Sequence, residues 1–305
     1  SIVTTLDSYI QTELESQLES IVINHSVKNR VTGIVMDTSS GAILAMSVYP
    51  EFDLNDPWKL TDYYKEKLDS SGALVGSNVY SELSNKYLLE SWSNKALTET
   101  YIPGSTFKIV TSSMALEESL PILKSHVFCG GVKTVLGKGI HCHQRKGHGS
   151  LTFAEGVQHS CNVWFMSIGE RLGSAKFAEY FKLFGYREKS GIDLPGEGMG
   201  VISPKMSELD LAIYAFGQNF TVTAIQHIAA ISAVANGGEL VTPYIVQSMK
   251  DNKGNTVYEH ETLVKRRVMS EDNAKEIAQI LADGLQLGAG LDAALGQEVR
   301  AAGLV

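Results

Sequence analysis

The sequence predicts a mixed α/β fold of the α+β kind, a mostly antiparallel central sheet flanked by helices. Two observations carry this. A stretch with helical periodicity runs directly into two β-rich segments joined by a tight turn, and the later chain holds several segments opened by helix-capping residues and closed by glycine. The 305 residues carry a formal net charge of −8, with 44% hydrophobic and 20% charged residues, the composition of an ordinary globular protein with a core.

Leu6, Ile10, Leu14, Leu18 and Val22 recur every four positions, so the first two dozen residues read as a helix with one buried stripe. Val31 to Met36 and Ala42 to Val48 are rich in β-branched and apolar residues. They flank Asp37-Thr38-Ser39-Ser40-Gly41, whose turn formers and glycine predict a hairpin. From Pro50 to Tyr101 the periodicity is weak, and loops with short helices are expected. Pro103-Gly104-Ser105 interrupts the chain before the good helix formers of Thr106 to Leu116, which places Ser105 at a helix N-terminus. Thr152-Phe153-Ala154-Glu155 fits a capping box for a helix running to about Leu172. Thr223-Ala224-Ile225-Gln226 does the same for an Ala-rich helix that stops at Asn236-Gly237-Gly238. A last helix is expected after Ser270, ending near Gly288, with Ile277, Ile280, Leu281 and Leu285 on one face.

The acidic balance argues against nucleic acid as a partner. Phosphate recognition needs clustered cations, and the short run Lys265-Arg266-Arg267 reads as solvated surface. No stretch approaches the roughly 20 apolar residues of a membrane span. The chain opens at Ser1 without an initiating Met or a secretory signal, and the expectation is of a processed or trimmed piece whose anchor has been removed.

Ser105-Thr106-Phe107-Lys108 sets a hydroxyl and an amine three residues apart, on one face of a helix start. A serine hydroxyl becomes a nucleophile when a base takes its proton, and a desolvated lysine can be that base. About fifty residues on, Ser160-Cys161-Asn162 offers a second hydroxyl and a carboxamide. Ser160 could relay a proton, and Asn162 could hold Lys108 or a substrate amide. Either motif alone is also compatible with a polar helix surface.

Taken in order, these motifs are similar to the signature of penicillin-binding proteins and serine β-lactamases. The wider context extends the likeness: Asn94-Lys95-Ala96-Leu97, then Tyr101 to Lys108, Gly147-His148-Gly149, Ser160-Cys161-Asn162, Gly191-Ile192-Asp193-Leu194-Pro195-Gly196-Glu197, and Gly217-Gln218-Asn219 leading to Ala235-Asn236-Gly237-Gly238. The opening fits as well, through Leu6-Asp7, Ile10-Gln11, Val35-Met36-Asp37, Gly41 to Met46 and Pro50. The chain resembles, over 1–305, the transpeptidase domain of class B penicillin-binding proteins. That resemblance implies a serine acyltransferase in which Ser105 is the nucleophile, Lys108 its base, Ser160 a proton relay and Asn162 an orienting group. It implies peptidoglycan stem peptides as substrates, β-lactams as acylating mimics, and partner proteins of cell-wall synthesis. It also implies action on the extracytoplasmic face of a bacterial membrane, by a parent with an N-terminal anchor and a non-catalytic pedestal domain. A β-lactamase or β-lactam sensor, and a non-catalytic module of the same fold, are the rival readings.

One element departs from the pattern. The family's Lys-Thr-Gly strand should follow an Ala-Gly approach such as Arg300-Ala301-Ala302-Gly303, yet Leu304-Val305 stands there. Lys133-Thr134 is followed by Val135 and precedes Ser160, so it does not substitute. The family's strand supplies a cation and hydroxyl for the substrate carboxylate and one oxyanion donor. The expectation is therefore that the last strands are missing, that truncation explains this better than degeneracy, and that the piece alone is catalytically impaired.

Cys129, His141, Cys142, His143 and His148 crowd into twenty residues. Three readings stay open: a Cys129–Cys142 disulfide, free thiols, or a structural zinc held by Cys129, Cys142 and a histidine such as His148. His148, between two glycines, could instead hold a loop. Cys161 reads as a small buried side chain. The proposed reaction itself requires no cofactor, so zinc would be structural.

Overall fold

The structure is a computed structural model that describes residues 1–27 and 29–287. The expected end of the last helix at Gly288 and the Arg300 to Val305 segment lie outside the described residues.

The chain begins with a short strand, β1 (Ile2–Thr4), and not with helix. Asp7 caps α1 (Ser8–His25) by accepting from Tyr9 and Ile10 N–H, which sets the helix start after Leu6. Within α1 the stripe holds, with Leu18 buried and Ile10, Leu14 and Val22 half-buried, but Leu6, ahead of the cap, is exposed. α1 packs on the hairpin of β2 (Val31–Met36) and β3 (Ile43–Tyr49). There the Gln11 amide takes both backbone groups of Met46, accepting from its N–H at 2.9 Å and donating to its C=O at 3.1 Å. In the hairpin turn the Asp37 carboxylate accepts from the N–H and hydroxyl of both Ser39 and Ser40, and Gly41 takes φ 83°.

The next segment is more helical than its composition announces. α2 (Asp62–Ser70), α3 (Asn78–Trp92) and α4 (Lys95–Thr98) precede the two-residue β4 (Thr100–Tyr101). α3 has 15 residues yet buries only Leu88 and Ser91, so it leaves little hydrophobic period to read.

The centre of the molecule is α5 (Phe107–Glu117), ten of whose eleven residues are buried. Two small antiparallel ladders follow, β5 (Val127–Cys129) with β8 (Gly149–Leu151), and β6 (Val132–Val135) with β7 (Lys138–His141). The expected capping box is present, Thr152 against Glu155. The helix it opens is not continuous, however. α6 (Phe153–Gln158) ends, and α7 (Asn162–Leu183) starts afresh and breaks its own geometry at Gly173. α8 (Glu208–Tyr214), β9 (Val222–Thr223) and α9 (Ala224–Ala235) lead to β10 (Glu239–Val241), β11 (Val246–Lys250), β12 (Thr256–Glu259), β13 (Val264–Arg267) and α10 (Glu271–Leu287). The second capping box, Thr223 with Gln226, opens α9 as expected. On α10, Ile277, Ile280 and Leu281 are buried and Leu285 packs beside them.

Every ladder among the described strands is antiparallel, with β11 between β1 and β12, β10 beside β13, and β4 beside β9. The hairpin meets the segment just ahead of β11 through an isolated parallel bridge, Ile43 N–H to Tyr244 O (2.9 Å) and Tyr244 N–H to Gly41 O (3.0 Å). α5 packs against α7, α9 and α10 over a core in which Phe107 meets Phe177, Phe181, Tyr186 and Phe220.

Candidate active site

Ser105 lies in a single 3-10 turn, Gly104–Thr106, that runs into α5. The nucleophile candidate thus sits one turn ahead of the α-helix proper. Two contacts hold the turn. Gly104 N–H donates to Gly217 O at 2.9 Å, and the Thr106 hydroxyl donates to Pro103 O at 2.8 Å. Gly217 has φ 83°, and a Cβ there would lie 1.8 Å from Gly104 O; only glycine lets the two backbones meet.

Lys108 is 2% exposed. Its Nζ lies 3.2 Å from Ser105 Oγ, 2.8 Å from Ser160 Oγ, 2.7 Å from Ser160 O and 2.7 Å from Asn162 Oδ1, with the Phe165 ring centroid 5.5 Å away. Two of these oxygens are carbonyls, which only accept. They fix two Nζ–H bonds, and the remaining position faces the two hydroxyls. An ammonium donates there; a neutral amine accepts a hydroxyl proton there. The shell therefore suits both protonation states, and a proton passing between Ser105 and Ser160 has Nζ within reach of each. The Asn162 amide is oriented, since its Nδ2 donates to His141 O at 3.3 Å while Oδ1 takes Lys108.

The helix break that continuous periodicity hides is what delivers Ser160. α6 ends in a Schellman arrangement: Ser160 N–H donates to Val157 O and Cys161 N–H to Gly156 O, both 2.9 Å. Ser160 takes the left-handed position, φ 47°, where glycine is usual. This turns its hydroxyl and its carbonyl together toward Lys108 and starts α7 at Asn162. All four expected residues, Ser105, Lys108, Ser160 and Asn162, are brought to one point.

The three cysteines are free thiols, with no Cys129–Cys142 disulfide. Cys129, Cys142 and His148 do come together, and Cys161 joins them: their three Sγ atoms and a His148 ring nitrogen all lie within 4.8 Å of one another. Cys142 Sγ stands 3.7 Å from His148 Nδ1. Gly147 makes the approach feasible, because a Cβ there would be 2.1 Å from Cys129 O. The Cys161 thiol, hydrogen-bonded to Cys142, holds Cys142 well below the usual thiol range against its burial, helped by backbone donors at Gln144 and Asn162. The same bond pushes Cys161 up. Burial lowers His148 below its usual value, favouring the neutral imidazole. Three sulfurs and one imidazole are a Cys3His donor set, and a tetrahedral zinc with Zn–S of about 2.3 Å places sulfurs about 3.8 Å apart. Among the described residues His141 and His143 stand outside this set. Cys161 as a fourth donor was not foreseeable from spacing.

Other motif residues prove structural. The Asp193 carboxylate accepts Ile245 and Val246 N–H, each at 2.8 Å, and Glu197 accepts Ser190 and Gly191 N–H. Lys133 pairs with Glu170 at 2.8 Å.

Residues 31–303 match the sequence model of the penicillin binding protein transpeptidase domain. The chain belongs to this family. As a class B penicillin-binding protein transpeptidase domain, it is 38% identical over 293 residues to stage V sporulation protein D of Bacillus subtilis, covering 95% of this chain and 41% of that protein. It is 24% identical over 291 residues to a probable peptidoglycan D,D-transpeptidase FtsI of Caulobacter vibrioides, covering 94% and 42%. The chain thus spans about two-fifths of the length of these relatives. Among solved structures, penicillin binding protein 3 from Mycobacterium tuberculosis, complexed with aztreonam, superposes with a TM-score of 0.75 at 24% identity over 96% of this chain and 60% of that one. That likeness shows the α+β fold of the transpeptidase domain. Among the described residues, no helix is long and apolar enough to cross a membrane.

Proposed function

We propose that this chain is the acyl-transfer domain of a peptidoglycan D,D-transpeptidase, residues 1–305 forming the transpeptidase domain without the strand that would carry Lys-Thr-Gly. The observation that carries the reading is Lys108 Nζ, buried and in contact with both Ser105 Oγ and Ser160 Oγ. Lys108 takes the Ser105 proton as Oγ attacks the carbonyl of a stem peptide ending in D-Ala-D-Ala. The C–N bond breaks, Ser160 relays a proton to the leaving amine, and D-Ala departs. An amine of a second stem peptide then attacks the ester, releasing Ser105 and forming the cross-link. Asn162 holds Lys108 in register. β-Lactams enter the first half of this sequence because their strained amide opens on Ser105. The peptidoglycan substrate named for the Caulobacter vibrioides relative supports a site of action at the cell wall, outside the cytoplasm; partnership with other wall-synthesis proteins is part of the same proposal. The test is fluorescent penicillin labelling of the full-length protein. Wild type should carry a covalent label that Ser105→Ala abolishes, and a persisting label in that variant overturns the assignment. Slow release of the penicilloyl group supports the transpeptidase, and rapid turnover supports a β-lactamase.

The sulfur cluster beside the site is proposed to hold one structural zinc through Cys129, Cys142, Cys161 and His148, with no part in the chemistry. Bound metal would fasten the β5–β8 ladder to the start of α7. Elemental analysis of the full-length protein should find about one zinc per chain, and chelation should lower the melting temperature; metal-free protein that melts unchanged with or without added zinc refutes the site.

A further inference from the structure

Behind the Ser105 turn lies a buried hydrogen-bonded chain that the proposed chemistry does not use. His227, on α9, stands between two hydroxyls. Its Nδ1 is 2.8 Å from Tyr186 Oη, and its Nε2 is 2.8 Å from Thr106 Oγ1. The Thr106 hydroxyl has one proton, and it goes to Pro103 O. The contact with His227 must then be Nε2–H donating to Oγ1, which leaves Nδ1 bare to accept the Tyr186 O–H. Direction is thereby fixed along the whole chain, from Tyr186 through the imidazole and Thr106 to Pro103 O. His227 is 6% exposed and Tyr186 is 1% exposed. Burial holds the imidazole down at about 4, and it is neutral at physiological pH.

Burying an imidazole is costly unless both nitrogens are satisfied. An apolar side chain would avoid that cost on a helix whose other buried positions are mostly Ala, Ile and Val. What the imidazole adds is a grip on Thr106, the residue after Ser105. The 103–106 turn is then held from two sides, at Gly104 N–H by Gly217 O and at Thr106 by His227. Both holders are anchored elsewhere: α9 is fixed by its capping box, and Tyr186 packs against Phe107 and Phe181.

We propose that His227 is a positioning residue for the nucleophile, an Nε2–H donor that, braced by Tyr186, locks the Thr106 hydroxyl and so fixes the turn that presents Ser105 to Lys108. The inference rests on Ser105 being the nucleophile of the proposed reaction. A group that sets attack geometry changes the rate of bond formation more than the affinity for the ligand.

The full-length protein is tested by stopped-flow acylation with a fluorescent penicillin, resolving the dissociation constant from the acylation rate constant. His227→Leu should lower the rate constant about ten- to a hundredfold and leave the dissociation constant within about twofold. The double variant Tyr186→Phe/His227→Gln, in which an amide restores the donor to Thr106 and no phenol is left unpaired, should recover most of that loss. An unchanged rate constant in His227→Leu overturns the proposal, and so does a loss that the double variant fails to recover while its melting temperature matches wild type. Nitrogen NMR of the wild-type histidines at pH 7 gives a readout free of activity: His227 should be the neutral Nε2–H tautomer, and an Nδ1–H tautomer or an imidazolium overturns the chain of donors. If wild type takes no Ser105-dependent label, the acyl-transfer reading falls, and the tautomer decides whether the grip on Thr106 exists.

Discussion

Ser160 carries strain that a pair of substitutions can isolate. Its φ of 47° puts a side-chain-bearing residue where a left-handed backbone costs about 1–2 kcal/mol. Ser160→Ala removes the hydroxyl and keeps the Cβ. Ser160→Gly removes the same hydroxyl and the strain, while adding about 0.5–1 kcal/mol of chain entropy on folding. The lost Oγ contact with Lys108 is common to both and cancels in the comparison, since Lys108 keeps Ser160 O and Asn162 Oδ1 at 2.7 Å in each. The glycine variant should therefore be more stable than the alanine variant by about 0.5–1 kcal/mol. Urea denaturation reads this as a higher midpoint at equal slope. Both variants should lose about 10²–10⁴-fold in penicillin acylation rate if Ser160 moves a proton. A glycine variant no more stable than the alanine variant would show that the turn is unstrained. Acylation of either at the wild-type rate would remove Ser160 from the proton path.

Gly217→Ala sets a Cβ 1.8 Å from Gly104 O at φ 83°; a loss of about 2–4 kcal/mol and slower acylation are expected from thermal melts and labelling, and a neutral variant would refute the close approach. Asp193→Ala removes a carboxylate that takes two N–H groups at the start of β11 and should cost about 1.5–3 kcal/mol in a denaturant titration. The serine hydroxyls and N–H groups around Asp37 hold its pKa below 3.8. The stabilisation is therefore complete above that pH and lost as pH falls through the lower folded value. Asp37→Asn should flatten this acid limb of the stability curve, measured as melting temperature between about pH 5 and 2.

Local signals with a fixed chemistry were legible in the sequence. The capping boxes at Thr152 and Thr223, the Asp37 to Gly41 turn and the Ser105-to-Lys108 spacing all appear where they were expected, because each depends on neighbours within four residues. The sequence makes the Thr152 helix continuous to about Leu172 because residues 153–172 have apolar side chains on both sides of the break, and no glycine or proline marks position 160. Ser160 takes a conformation that its residue type disfavours, so propensity pointed the wrong way there. Cys161 and His227 were missed for another reason. One joins Cys129 and Cys142, and the other joins Thr106 across 121 residues; no local period encodes such meetings. α3 escaped through its exposed surface, which leaves a helix without a stripe.

The site's two costs sit in different elements, and this explains its arrangement. Lys108 loses hydration inside α5, and Ser160 bends against its preference between α6 and α7. Neither helix could bear its cost alone: a six-residue α6 is too short to be stable by itself, and a buried amine facing the Phe165 ring needs oxygen neighbours. Each supplies what the other lacks. The bend turns two Ser160 oxygens onto the amine, and Lys108, held rigidly by a buried helix, offers the N–H groups that reward the bend. Gly156 completes the coupling. A Cβ there would meet the Trp164 ring at 2.5 Å, so its absence lets α7 fold back onto α6, with Trp164 Nε1–H on Leu151 O at 3.1 Å. A Gly156→Ala substitution, which changes no side chain of the Ser105, Lys108, Ser160 and Asn162 set, should therefore open the α6–α7 angle and loosen Ser160 from Lys108. Acylation would then slow even where the melting temperature falls only a few degrees. An alanine variant that loses stability but keeps the wild-type acylation rate would show that the bend is set by Ser160 alone.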